Sequence, residues 1–170
     1  ATARLAQGLG MRVLFAQRPG REAAEDERPL EALLAQCDAI SLHVPLTPDT
    51  RGLIDARRLD LMKPEAVLIN TGRGALVDPQ ALVAALRAGR LAGAAIDVLE
   101  VEPPPAAHPL LAPDIPNLLV TPHVAWASEQ AQQRLFIVVK GVEVLVVHRC
   151  LLIGGTRWCH AARLGAGRFR

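Results

Sequence analysis

Tyrosine is absent from this sequence, and aromatic residues of any kind make up only 3% of it. The core must therefore be packed from Ala, Val, Leu and Ile within the 51% of the chain that is apolar. That composition suits strands buried between helices and leans towards an α/β domain. Lysine is scarce beside arginine, and the formal net charge of +2 is spread along the chain rather than gathered in a stripe. A basic groove for nucleic acid therefore has no support. Cysteine is scarce too: Cys37, Cys150 and Cys159 form an odd set without metal-ligand spacing. Neither a disulfide framework nor a metal site is expected, and a reducing cytoplasm fits best. The opening ATARLAQGLG has none of the basic start, long apolar stretch and cleavage site of a secretory signal. The apolar stretch at residues 136–153 is broken by Lys140, Glu143, His148 and Arg149, too often for a membrane helix. A chain of 170 residues is long enough for one domain with a real core and short for two.

What is present is an alternation of apolar runs and helical segments. Residues 1–9 place Leu5 and Leu9 on one helical face, with Gly10 as a left-handed stop. MRVLFA, residues 11–16, reads as a buried strand, and QRPGREAAEDERP after it as an exposed loop. A brief helix is expected at residues 30–36, a strand at 39–44, a helix at 55–62 and a strand at 66–70. The helix at residues 79–87 is well signalled, with Asp78 as N-cap, Pro79 in its first turn and Gly89 as terminator. Strands at residues 94–99 and 117–121 follow. Apolar strands alternating with short helices predict an α/β fold, a doubly wound parallel sheet of Rossmann-like type covered on both faces. Residues 1–134 form this domain, and residues 135–170 form a tail of different character, β-branched and then basic and glycine-dotted. In such sheets a ligand lies beyond the carboxyl ends of the strands. The informative positions are then Gln17 and Arg18, and residues 45–47, 71–74, 97–102 and 122–126.

At one of these edges Thr71-Gly72-Arg73-Gly74 sets an arginine between two glycines, where small neighbours let a substrate approach the planar guanidinium. An ordinary turn with a solvated arginine explains the same residues. Glu102 follows the next strand and His123 the last. A carboxylate and a histidine at neighbouring strand ends can pair, the carboxylate orienting the ring and favouring the protonated form that gives a proton to a developing alkoxide. Taken singly, His123 equally suits a structural histidine, and Glu102 a solvated loop acid. Together, in the order Arg, Glu, His along one sheet edge, they make a candidate catalytic set.

Four blocks, LHVPLTPDTRGLI, LMKPEAVLINTGRGALVD, AAIDVLEVEPP and TPHVAWAS, resemble the successive signatures of the D-isomer-specific 2-hydroxyacid dehydrogenases, in that family's order and near its spacing. The resemblance covers roughly residues 1–134. FAQRPG and TPHVAWAS are most similar to the glycerate dehydrogenase and hydroxypyruvate reductase branch. The resemblance implies an oxidoreductase domain acting on the CH–OH group of D-2-hydroxy acids with NAD or NADP, and reducing 2-oxoacids such as hydroxypyruvate or glyoxylate in reverse. By the same resemblance Arg73 holds the substrate carboxylate and carbonyl oxygen, His123 is the general acid and base, and Glu102 is its partner. Asp97 lies near the nicotinamide carboxamide, and Val44, Pro45, Leu46, Thr71, Gly72, His123 and Ala125 contact the dinucleotide. A homodimer through this domain is the corresponding partner expectation, with no nucleic acid and no membrane.

The sequence departs from the family pattern in several places. The G-x-G-x-x-G phosphate loop that precedes the first helix is not in it, nor is the substrate domain, so weak cofactor binding and an inactive fragment are expected. Gln17, followed by Arg18, replaces the acid that accepts hydrogen bonds from the adenosine ribose. An amide beside an arginine tolerates a 2′-phosphate, which leaves NAD and NADP both open. The tail after Leu135 departs from the family's amphipathic helix and is expected to be out-of-frame translation or otherwise not native to the family. Two other readings stand beside the enzyme: a non-catalytic dinucleotide-sensing or interaction protein on the same fold, and a piece of a disrupted gene without function of its own.

Overall fold

The structure is a computed structural model describing residues 2–17, 20 and 22–128. The readings made for residues 135–170 and for Arg18 lie outside the described residues. Helix α1 (Thr2–Gly8) leads to the short strands β1 (Phe15–Ala16) and β2 (Glu27–Arg28), then to α2 (Leu30–Gln36) and β3 (Ala39–Leu42). After these come α3 (Ala56–Asp60), β4 (Val67–Asn70), α4 (Pro79–Arg87), β5 (Gly93–Ile96) and β6 (Leu118–Val120). Strands β3, β4, β5 and β6 form one parallel sheet in that order, and β1 pairs with β2 in a separate parallel ribbon. The fold is therefore of the expected α/β class with a parallel sheet.

Local chemistry explains the helix limits. The Asp78 carboxylate accepts from the backbone N–H groups of Gln80 and Ala81 at 2.9 and 3.1 Å, and Pro79 opens the first turn of α4. A cap of this kind stabilises by about 1 kcal/mol. Beyond α4 the chain reverses at Gly89, whose φ of 65° is open to glycine at little cost. Asp55 caps α3 through Arg58 N–H at 2.8 Å, so it stands outside the helix that was expected to include it.

Crossovers that all step in one direction along a parallel sheet place their helices on one face. In β3 and β4 burial alternates accordingly: Ile40, Leu42, Leu68 and Asn70 are buried, while the residues between them are half-buried. Burial on both faces, expected for every strand, comes nearest in β5, where Gly93, Ala94 and Ile96 are buried. The core unites the inward residues of the sheet with Ile54, Leu59, Leu76, Leu82 and Leu86. Each fully buried aliphatic side chain of this kind contributes about 1.5–3 kcal/mol. Aliphatic packing replaces the missing aromatics, as composition requires.

Several strand expectations are corrected. The strand at residues 11–16 shrinks to Phe15–Ala16, and the supposed exposed loop supplies its partner β2. Phe15 N–H donates to Asp26 O at 2.8 Å and Gln17 N–H to Arg28 O at 2.7 Å. No apolar alternation announces β2, because its buried residue is Glu27. Strands β3 and β5 stop at Leu42 and Ile96, short of the expected ends, and the residues beyond them, among them Val44, Leu46 and Leu99, pack against the core from outside the sheet ladder. The register places Leu42 beside Asn70, Asn70 beside Ile96 and Ile96 beside Val120. Residues 43, 71, 97 and 121 therefore leave the sheet side by side. No helix among the described residues is long and apolar enough to cross a membrane.

Candidate active site

The turn after β4 is held by its last residue. Asn70 is fully buried; its Oδ1 accepts from Gly72 N–H at 3.0 Å and its Nδ2 donates to Arg73 O at 2.9 Å. The turn is thus fixed from beneath, and Arg73 extends outwards with its Nη1 donating to Gly72 O at 2.7 Å. A short 3-10 turn, Gly74–Leu76, follows. A Cβ on Gly74 would meet the Leu99 carbonyl carbon at 2.0 Å and the Glu100 nitrogen at 2.3 Å. One on Gly72 would meet Leu42 O and a Leu76 methyl, both at 3.3 Å. The glycines beside Arg73 therefore make room for neighbouring chain rather than for substrate, which corrects the reason given for them.

Two Glu–His contacts organise the loop after β5. His108 is buried, its Nε2 lies 2.8 Å from Glu100 Oε2, and its Nδ1 accepts from Leu110 N–H at 3.2 Å. Since Nδ1 accepts, Nε2 carries the proton, and the ring is a fixed anchor for the segment between Leu99 and Leu110. The second contact is the expected one: His123 Nδ1 lies 2.7 Å from Glu102 Oε2, with 40% of the His123 side chain accessible. Glu102 Oε1 also accepts from Leu99 N–H at 3.0 Å. The hydrogen bond from His123 comes first, and the Leu99 N–H second, in holding the Glu102 carboxyl below the ordinary glutamate value. An ionised carboxylate can only accept, so Nδ1 carries the hydrogen and Nε2 is the nitrogen left to exchange a proton.

His123 itself stands in the left-handed region, with φ of 55°. That conformation costs a residue with a side chain roughly 1–2 kcal/mol, so neighbouring contacts must hold it. They converge on Asp97, the first residue past β5, which is 5% exposed. Its Oδ1 accepts a short hydrogen bond from Thr121 Oγ1 and one from Val124 N–H at 2.9 Å, and its Oδ2 accepts from Ala125 N–H at 2.9 Å. Burial pushes the Asp97 carboxyl up, but the bonds from Thr121, Ala125 and Val124 and the nearby His123 ring outweigh it and bring it below the usual aspartate value.

Glu102 and His123 are thus brought together, whereas the Arg73 guanidinium bonds to the Gly72 carbonyl and to neither of them. An open pocket of about 260 Å³ lies at the edge, with Thr71, Ile96, Asp97, Leu119, Thr121 and Ala125 among its walls. Of the residues expected around a dinucleotide, Thr71, Asp97 and Ala125 line it. Val44 and Leu46 pack against the core, and Pro45 O accepts from Thr50 Oγ1 at 2.7 Å. Gln17 follows β1, in the other ribbon. The sequence reading missed Asn70, which holds the backbone of the Arg73 turn, Thr121, which bonds the Asp97 carboxylate, and the Glu100–His108 pair. It also passed over His43, whose Nε2 lies 2.8 Å from Ser41 Oγ and whose pKa is pushed down by burial.

A parallel α/β domain with a Glu–His pair at the carboxyl edge of its sheet defines the class of protein. Comparison narrows it: residues 1–125 match the family model for the D-isomer specific 2-hydroxyacid dehydrogenase, NAD binding domain, and the chain belongs to that family. Glycerate dehydrogenase of Methylorubrum extorquens is 50% identical over 133 residues, which are 78% of this chain and 41% of that protein. The solved structure of a D-lactate dehydrogenase from Sporolactobacillus aligns with a TM-score of 0.71 at 37% identity, covering 80% of this chain and 45% of that one. A D-isomer specific 2-hydroxyacid dehydrogenase of Xanthobacter autotrophicus Py2, solved with NADPH, aligns with a TM-score of 0.52 at 50% identity, covering 56% of this chain and 30% of that one. The chain therefore spans 41% of the length of the glycerate dehydrogenase it matches.

Proposed function

We propose that this chain is the dinucleotide-binding domain of an oxidoreductase interconverting D-2-hydroxy acids and 2-oxoacids, with NAD or NADP as the hydride carrier. The observation that carries this reading is the His123 Nδ1 to Glu102 contact of 2.7 Å at the carboxyl edge of the sheet, which leaves Nε2 to the reacting oxygen. The nicotinamide, when bound, supplies the hydride in reduction and accepts it in oxidation. In reduction, the carbonyl oxygen takes its proton from His123 Nε2 while Nδ1 stays on Glu102; in oxidation the same nitrogen removes the hydroxyl proton. Arg73 binds the substrate carboxylate through its planar fork once it leaves the Gly72 carbonyl.

The pocket chemistry suits the cofactor. Its walls include Ile96, Leu119 and Val124, apolar surface for a nicotinamide ring, and one carboxylate, Asp97. Asp97 Oδ2 accepts a single hydrogen bond, from Ala125 N–H, so it retains capacity for a carboxamide N–H. Ala125 then serves as wall, its N–H being engaged. In this reading Thr71 and Gly72 meet the dinucleotide beyond β4, Val44, Pro45 and Leu46 meet it beyond β3, and Gln17 takes the adenosine ribose. Hydroxypyruvate and glyoxylate are the 2-oxoacids this reading puts first, and a homodimer in a cytoplasmic setting accompanies it.

The test is titration of the chain with NADH and NADPH, followed by amide shifts of Thr71, Asp97 and Ala125. Shifts confined to these edge residues are expected, and unmoved amides at millimolar dinucleotide would overturn the cofactor assignment. In the complete enzyme, loss of reduced-nicotinamide absorbance that depends on added 2-oxoacid separates an enzyme from a dinucleotide sensor on the same fold.

A further inference from the structure

We propose that Asp97 is a positioning residue that sets the His123 ring against Glu102 by clamping the turn on both sides of it. The donors that Asp97 collects come from positions two before, one after and two after the histidine: Thr121 Oγ1, Val124 N–H and Ala125 N–H. They bracket the one residue of the turn whose φ is positive, His123. The sheet gives little help there. Strand β6 ends at Val120, and the last ladder bond from it is Thr121 N–H to Ile96 O at 3.0 Å. Beyond that point the turn's own backbone bonds are local, His123 N–H to Thr121 O at 3.0 Å and Ala127 N–H to Val124 O at 2.8 Å. A buried carboxylate with two oxygens and in-plane lone pairs can hold three donors at fixed angles, which an alanine or a water cannot do.

The clamp is itself anchored. Asp97 N–H donates to Asn70 O at 2.9 Å, and Asn70 is the residue that fixes the Arg73 turn. One buried residue at the end of β5 therefore references the histidine turn after β6 to the arginine turn after β4. Calling this geometry catalytic positioning rests on the acid–base role proposed for His123; the clamp itself does not.

The charge on Asp97 and its hydrogen bonds act on Glu102 with opposite signs, which makes the proposal testable without substrate. As a nearby negative charge, Asp97 raises the Glu102 carboxyl; by presenting His123 as a donor, the clamp lowers it. In Asp97→Asn the loss of charge alone would move the Glu102 titration down. Release of the turn would move it up, towards the ordinary glutamate value. We expect the upward movement, followed by carboxyl-carbon resonance in the intact chain. Amide exchange at Ala125 should also quicken by about 10-fold or more, because the asparagine presents an amide donor to one of the clamp's donors. A downward movement with unchanged exchange would overturn the proposal. Should Asp97→Asn fail to fold, Thr121→Val and Thr121→Ser decide: the valine should repeat both effects in weaker form and the serine, which restores the hydroxyl donor, should abolish them. Identical behaviour of the two would equally overturn the clamp. None of these readouts needs dinucleotide or 2-oxoacid, so failure of the functional reading and failure of the clamp remain distinct.

Discussion

Gly74 lies flush against the peptide that joins Leu99 to Glu100, so close that a Cβ on it would stand 2.0 Å from the Leu99 carbonyl carbon. The contact joins the two segments bearing Arg73 and Glu102, which share no direct side-chain bond. Backbone on both sides leaves nothing flexible to give way. Gly74→Ala should therefore destabilise the domain by about 1–3 kcal/mol, the usual cost of overpacking. A denaturation midpoint equal to that of the parent would show that the two loops are not packed as described.

Asn70→Ala tests the turn beneath Arg73. It removes a buried amide that serves both Gly72 N–H and Arg73 C=O, leaving two polar groups in need of water. A loss of about 1–3 kcal/mol is expected, together with faster exchange of the Gly72 amide. Stability loss without a change at Gly72 would place the effect in the sheet rather than in the turn.

The Glu102–His123 contact predicts a pH dependence with a definite sign. The Glu102 carboxyl is held low in the folded chain, so the link contributes fully above the ordinary glutamate value and is lost as pH falls through the lowered one. His123→Ala should return the Glu102 titration part of the way upwards, leaving the Leu99 N–H still in place. A carboxyl resonance that titrates identically in parent and variant would dissolve the pair.

Activity separates Arg73 from His123 if the proposed reaction is right. Assayed on a 2-oxoacid in the complete enzyme, His123→Ala should lower turnover by about 10²-fold or more, the scale for a lost general acid. Arg73→Ala should raise KM as well as lower turnover, because the guanidinium binds both ground and transition states. An Arg73 variant with unchanged KM would assign the substrate carboxylate to another group.

In the complete enzyme, Gln17→Glu should shift preference towards NAD, by adding an acceptor for the ribose hydroxyls that repels a 2′-phosphate. The ratio of kcat/KM for NADH and NADPH measures it, and an unchanged ratio would remove Gln17 from the adenosine end.

The sequence by itself determined the alternation of strands and helices, the limits of α4 through Asp78, Pro79 and Gly89, and the placing of Arg73, Glu102 and His123 beyond three successive strands. These are local signals: an apolar run, a cap and a strand end can each be read within a few residues. Tertiary structure alone decided that β2 exists, since its pairing rests on a buried glutamate with no periodic signature. It also decided that Gly74 serves the Leu99–Glu100 backbone, that the buried Asn70 amide turns back to hold the loop just after it, and that Asp97 bonds the main chain of a turn far along the sequence. Such roles leave little trace in sequence, because a buried side chain that holds another residue's N–H looks, in one dimension, like any polar residue at the end of a strand. Only the register that sets residues 71, 97 and 121 side by side brings donor and acceptor within reach.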